Sequence, residues 1–123
     1  LSLEVGEHIP PEHEMMMVRN LHAHNCRGVV LSWAYLGKYG VGHVNNHGRA
    51  YLIPLFEELG YRHNRAASRA LQRGRPKVPG RQIDLTRNVS QPWFWLRSVE
   101  VYERITPLRG SGCGGASGDL AAK

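Results

Sequence analysis

The apolar positions of this chain fall into short runs whose period changes several times. Residues 1–5 are mostly apolar and stop at Gly6, the pattern of a buried strand feeding a loop. Pro10 and Pro11 close that loop, and Pro11 suits a first helical turn, where its missing N–H is no loss. Glu12 and Glu14 favour the same helix start through the helix dipole. Across 12–25, Met17, Val18, Leu21 and one of Met15 and Met16 recur at helical spacing, and the three consecutive methionines read as core filler. Cys26, Arg27 and Gly28 end that helix. Residues 29–34 follow as a nearly all-apolar strand of the kind covered on both faces.

Residues 35–48, rich in Gly, Asn and His, form a long loop. Helical spacing returns over 51–59, with Leu52, Leu55, Phe56 and Leu59 on one side, and Pro54 is tolerated there only in a first turn. Gly60 suits the position just past the helix, and Tyr61 starts a short extended piece. A basic helix is predicted over 66–73, then a connector over 74–91 broken by Pro76, Pro79 and Gly80. The last strand candidate is 95–105, where Val99 and Val101 form an apolar face against charged or polar neighbours. Strand, helix, strand, helix, strand at these spacings predicts an α/β layered unit with right-handed crossovers. Five glycines and two serines in 110–118 predict a disordered tail.

Composition narrows the classes. The 123 residues suit one small domain, and no apolar stretch approaches the ~20 residues that a bilayer crossing needs. No signal peptide opens the chain, which starts at Leu1 inside an apolar run, as a processed chain or a piece of a longer gene product would. Two cysteines, Cys26 and Cys113, are too few for a disulfide scaffold, which makes a reducing, cytoplasmic setting the default. The formal charge of +6 is unevenly spread: 62–87 holds eight basic residues against Asp84 alone. Such a segment attracts phosphate by counterion release, or is a solvated arginine-rich insert.

The order of pieces carries a resemblance. "LSLEVGEHIPPEHE" with its helix, "RGVVLSWA", a Gly/His/Asn loop containing "GHVN", and "AYLIPLFEELGYRH" together resemble a class I S-adenosylmethionine-dependent methyltransferase from its fourth strand onward. "PWFW" and "VEVYER" resemble the last, antiparallel strand of that fold. The resemblance implies the C-terminal half of a Rossmann-like sheet over 1–105, with 65–91 a basic insert or connector and 106–123 the tail. Leu36 and Lys38 stand where the subgroup has proline and glutamine, while Gly37, Gly40, Gly42, His43, Val44 and Asn45 are kept. The family's glycine-rich cofactor turn, an Asp/Glu-x-Gly-x-Gly segment, is absent from the chain. The resemblance thus implies one wall of a cofactor cleft and an open strand edge through which the chain would self-associate.

The same resemblance assigns roles. Ser2, Leu3 and Glu4 are implied to touch S-adenosylmethionine. His8, and His43 from the later loop, are implied to act on the acceptor, because an imidazole can take a proton from a hydroxyl or amine near neutral pH. The Glu4-x-x-Glu7-His8 cluster also resembles the ligand set of metal-dependent RNA and ubiquinone methyltransferases, implying a divalent ion such as Mg²⁺ on Glu4, Glu7 and His8, with His43 next in line. Turn capping is the competing reading of Glu7 and His8, and a backbone hydrogen bond that of His43. The expected function is methyl transfer to a small-molecule or RNA acceptor. The alternatives are an inactive remnant of the family and a small basic RNA-binding protein, and the sequence leaves open whether the chain is itself catalytic.

Overall fold

The structure, a computed structural model, describes residues 1–73 and 94–106. Two 3₁₀ turns, Gly6–His8 and Pro11–His13, lead into α1 (Glu14–Ala23), which is followed by β1 (Gly28–Leu31). After a long loop come α2 (Arg49–Glu58), β2 (Tyr61–His63) and α3 (Arg65–Arg73), then a 3₁₀ turn at Phe94–Ser98 and β3 (Glu100–Arg104). The connector over 74–91 lies outside the described residues, as does the glycine-rich tail.

The three strands form one sheet in the order β1-β3-β2, with β3 antiparallel to both neighbours. β1 and β2 are therefore parallel to each other, separated by the last strand among the described residues. On the other side of β1, Ser2 makes a parallel bridge to Leu31, donating its N–H to the Val30 carbonyl and accepting from the Ser32 N–H, both at 2.9 Å. The strand expected over residues 1–5 is thus reduced to a single bridge beside β1. A groove of about 570 Å³, lined by Leu1, Val5, Ile9, Met16, Met17 and Leu21 among others, runs along this margin.

The core gathers Val29, Leu31, Trp33, Leu52, Phe56, Tyr61 and Tyr102, with Met17, Leu21, Ile53 and Leu59 packed against it. Phe56 stacks on Tyr102 with centroids 4.4 Å apart and meets Tyr61 edge-on at 5.5 Å. Gly60 takes φ +85°, as a residue ending a helix in the left-handed region must, and its carbonyl accepts from Ile105 and Thr106.

Several expectations need correction. Of the three methionines only Met17 packs on the core; Met15 and Met16 are exposed. Pro54 sits in the second turn of α2, not the first. It is exposed, as is Ala50, so water can reach the carbonyl that loses its helical donor. The final strand starts at Glu100, since 94–98 coils into a 3₁₀ turn. Its buried face is Glu100 and Tyr102, while Val101 is only half-buried. A glutamate holds that inward position because Arg49, His63 and Gln72 meet its carboxylate at 2.8, 2.7 and 3.3 Å. The basic helix expected over 66–73, by contrast, forms as Arg65–Arg73 and packs on β3.

Candidate functional site

The site is built where residues 1–8 meet the loop that follows β1. Gly6 opens the first 3₁₀ turn because nothing larger fits: a Cβ there would lie 2.3 Å from the Trp33 ring. Trp33 is itself buried, with its indole Nε1–H donating to the Asn45 carbonyl at 2.6 Å. The Glu7 carbonyl accepts from the backbone N–H groups of Val44 and Asn45 at 2.8 and 3.1 Å, which folds the loop back over the turn. His43 is thereby delivered to Glu7 and His8 across more than thirty residues of chain.

One ligand atom from each of Glu7, His8 and His43 lies within 4.8 Å of the others. The imidazoles meet edge-to-face, centroids 4.9 Å apart. His8 Nδ1 is 3.0 Å from the Gly42 carbonyl and His43 Nδ1 is 3.3 Å from that of Lys38. A carbonyl only accepts, so each Nδ1 is the donor, and in a neutral ring that leaves the lone pair on Nε2. The loop needs its glycines here. Gly42 adopts φ +74°, and a Cβ on Gly40 would strike His43 Nε2 at 2.1 Å.

Glu7 is the unusual member. Its side chain is fully buried and no other residue gives either carboxylate oxygen a hydrogen bond. Burial pushes its carboxyl above the ordinary 4.5 and the neighbouring Glu4 charge adds to this, opposed by its own backbone N–H and by the two imidazoles.

Glu4 does not join the group. It is the single non-glycine residue with positive φ (54°) among the described residues, and its carboxylate is engaged elsewhere. Ser32 Oγ donates to Oε1 at 3.0 Å, Lys38 Nζ approaches Oε2 at 3.2 Å, and the Glu4 N–H donates to Ser32 Oγ at 2.8 Å. Lys38, which departs from the resemblance, is thus the residue that ties Glu4 down. Ser2 is buried and spends its backbone groups on β1; Leu3 is half-buried beside it.

A second carboxylate network lies next to the first. Glu14 is buried, and it accepts from Asn45 Nδ2 and His47 Nε2, each at 2.7 Å, and from the Tyr51 hydroxyl. Burial alone would raise its carboxyl, but those bonds from Tyr51, Asn45 and His47 prevail and hold it below 4.5. The same bond, with burial, pushes Tyr51 up to about 12. Only the helix-start role of Glu14 is legible locally, since its partners lie 31–37 residues away. On the far side of the sheet, His63 Nε2 meets both Glu100 Oε2 (2.7 Å) and Ser68 Oγ (3.3 Å). One ring nitrogen cannot relay a proton between those two, so Ser68–His63–Glu100 is no nucleophilic triad.

Cys26, in the turn before β1, is disulfide-bonded, so cysteine count alone assigns no compartment. No helix among the described residues is long and apolar enough to cross a membrane. No family model, curated protein or solved structure matches the chain.

Proposed function

We propose that this chain forms the acceptor-side wall of an S-adenosylmethionine-dependent methyltransferase cleft, with Glu7, His8 and His43 at its floor. The observation that carries the reading is the buried, unpartnered Glu7 carboxylate faced by two imidazoles. An arrangement that costs stability and shifts a titration belongs more readily to a site than to a scaffold. Its location supports the reading. The Glu7–His8 turn and the His43 loop follow two neighbouring parallel segments, at their carboxyl ends, where open α/β sheets bind ligands. β3, antiparallel and the last strand among the described residues, supports the same reading.

In this reading His8 takes the proton of an acceptor hydroxyl or amine through Nε2, its Nδ1–H being fixed on Gly42. His43 orients the acceptor from the opposite loop. Ser2, Leu3 and Glu4 border the cofactor side, with Glu4 held in place by Ser32 and Lys38. Methyl transfer is an in-line displacement, so holding both reactants at the right distance supplies much of the rate. The orphaned carboxylate and two imidazoles also fit a divalent ion, and with one bound His8 Nε2 would be its ligand and no longer the proton acceptor. With Glu4 engaged, that donor set suits Zn²⁺ or Mn²⁺ better than Mg²⁺. Such an ion would polarise an acceptor hydroxyl.

The test is an ¹H–¹⁵N NMR titration with S-adenosylhomocysteine. Saturable shifts confined to residues 2–8 and 32–43 are expected. A folded chain whose spectrum does not move at millimolar ligand would end the cofactor claim.

A further inference from the structure

The largest unpaired charge among the described residues lies away from this site, on α3. Asn64 starts the helix by accepting the Ala67 N–H on its side-chain oxygen at 2.8 Å, a cap that fixes the helix direction. Ser68 and Gln72, one turn apart, dock it on the last strand. Ser68 Oγ accepts from the Val101 N–H at 2.9 Å, and Gln72 Nε2 donates to the Val99 carbonyl at 2.8 Å. With 68 and 72 facing the sheet, Arg65, Arg69 and Arg73 fall on one stripe, four residues apart, and all three are exposed.

Nothing among the described residues neutralises the stripe. α3 contains no acidic residue, and none of the three arginines has an ion pair or hydrogen bond among the described residues. The nearby carboxylates are already committed: Glu100 to Arg49 and His63, Glu103 to Arg62 and Asn64. The sequence that follows α3 adds Arg75, Lys77, Arg81 and Arg87 against Asp84.

The chemistry of the face selects its partner. Between the arginines the exposed residues are Ala66, Ala70 and Leu71. An interfacial membrane helix needs bulky apolar or aromatic anchors, and a single-strand binder needs aromatic rings for the bases to stack on. α3 has no aromatic residue. Three guanidiniums over about 12 Å of helix axis match instead a row of phosphates, which arginine binds through its planar fork of donors. We propose that α3 docks along the phosphate backbone of a nucleic-acid duplex through Arg65, Arg69 and Arg73. This surface is separate from the Glu7 cluster, and the proposal does not depend on the methyl-transfer reading.

The test is fluorescence anisotropy with labelled 20-base-pair DNA and RNA duplexes over a range of salt, on the full chain. The variant Arg65→Gln/Arg69→Gln is set beside Arg19→Gln/Arg27→Gln, which removes the same charge from exposed positions elsewhere. Salt-dependent binding is expected for the wild type. The α3 pair should weaken it roughly tenfold at low salt and lower the steepness of the log K against log[salt] line by about 1.8, at ~0.9 per phosphate contact. The control pair should change either quantity little. Equal losses from the two pairs would reduce the effect to net charge and overturn the proposal. So would no binding at 50 mM salt, equal affinity for a single-stranded oligonucleotide, or tighter binding to 3:1 phosphatidylcholine–phosphatidylserine vesicles.

Discussion

Two buried glutamates, Glu7 and Glu14, treat their charge in opposite ways. Glu14 is surrounded by Asn45, His47 and Tyr51, each giving it a hydrogen bond. Glu7 has two imidazoles near it and no hydrogen bond from another residue to either oxygen. Both carboxylates are buried and face the same 35–48 loop, so the difference lies in the partners that surround each of them. Glu14 spends its charge on holding that loop against α1. Glu7 holds its charge unspent, in a setting that leaves it available to a ligand, an ion or a proton. Structural carboxylates are recognised by their satisfied partners, and candidate functional ones by the partners they lack.

The comparison can be broken most forcefully at Glu14. Glu14→Ala strands the buried Asn45 amide and leaves the half-buried His47 and the more exposed Tyr51 to water, and should cost about 2 kcal/mol in chemical denaturation. A cost below about 1 kcal/mol would mean that the network is ornamental. Glu7→Gln acts the other way: it removes a buried charge without removing a bond, and should raise stability at pH 7 by about 1 kcal/mol.

The pH dependences separate the two further. The Glu7 carboxyl is raised in the folded state, so the native form binds more protons and stability falls as pH climbs from 4.5 through the folded value. The Glu14 carboxyl is lowered, so its contribution is present above 4.5 and is lost as pH drops through the folded value. Denaturation midpoints measured between pH 3 and 8 should therefore lose their upper decline in Glu7→Gln and their acid loss in Glu14→Gln. A smaller effect sharpens the site alone. Gly42→Ala introduces a Cβ at a positive φ and 3.3 Å from His8 Nδ1, and should cost about 1 kcal/mol. Smallest of all, His8→Ala should change stability by less than about 0.5 kcal/mol, since the ring is exposed and makes one backbone bond.

Local pattern carried the elements well and the long-range chemistry poorly. α1, β1, α2 and β2 appear where periodicity, paired prolines and Gly60 put them, because those signals act over a few residues. The face of β3 was misread, since valines outrank a glutamate on any hydropathy pattern, and only Arg49, His63 and Gln72, 28 to 51 residues earlier in sequence, make Glu100 an inward residue. His47 and His63 gave no sign of Glu14 and Glu100 for the same reason. Within the site, Glu7, His8 and His43 were legible as one group, whereas Glu4 was assigned to the metal because a motif cannot show that Lys38 and Ser32 occupy its carboxylate. The charge on 62–73 was visible as composition; its sorting onto one exposed stripe depended on Ser68 and Gln72 facing the sheet.

The most direct measurement is a ¹³C NMR titration that follows the Glu7 and Glu14 side-chain carboxyls in one sample. The account predicts a midpoint above 4.5 for Glu7 and below it for Glu14. It also predicts that Zn²⁺ lowers the Glu7 midpoint and leaves that of Glu14 in place. A Glu7 midpoint at or below 4.5 in the metal-free chain would mean that its carboxylate is satisfied after all, and the cluster would then be another structural network.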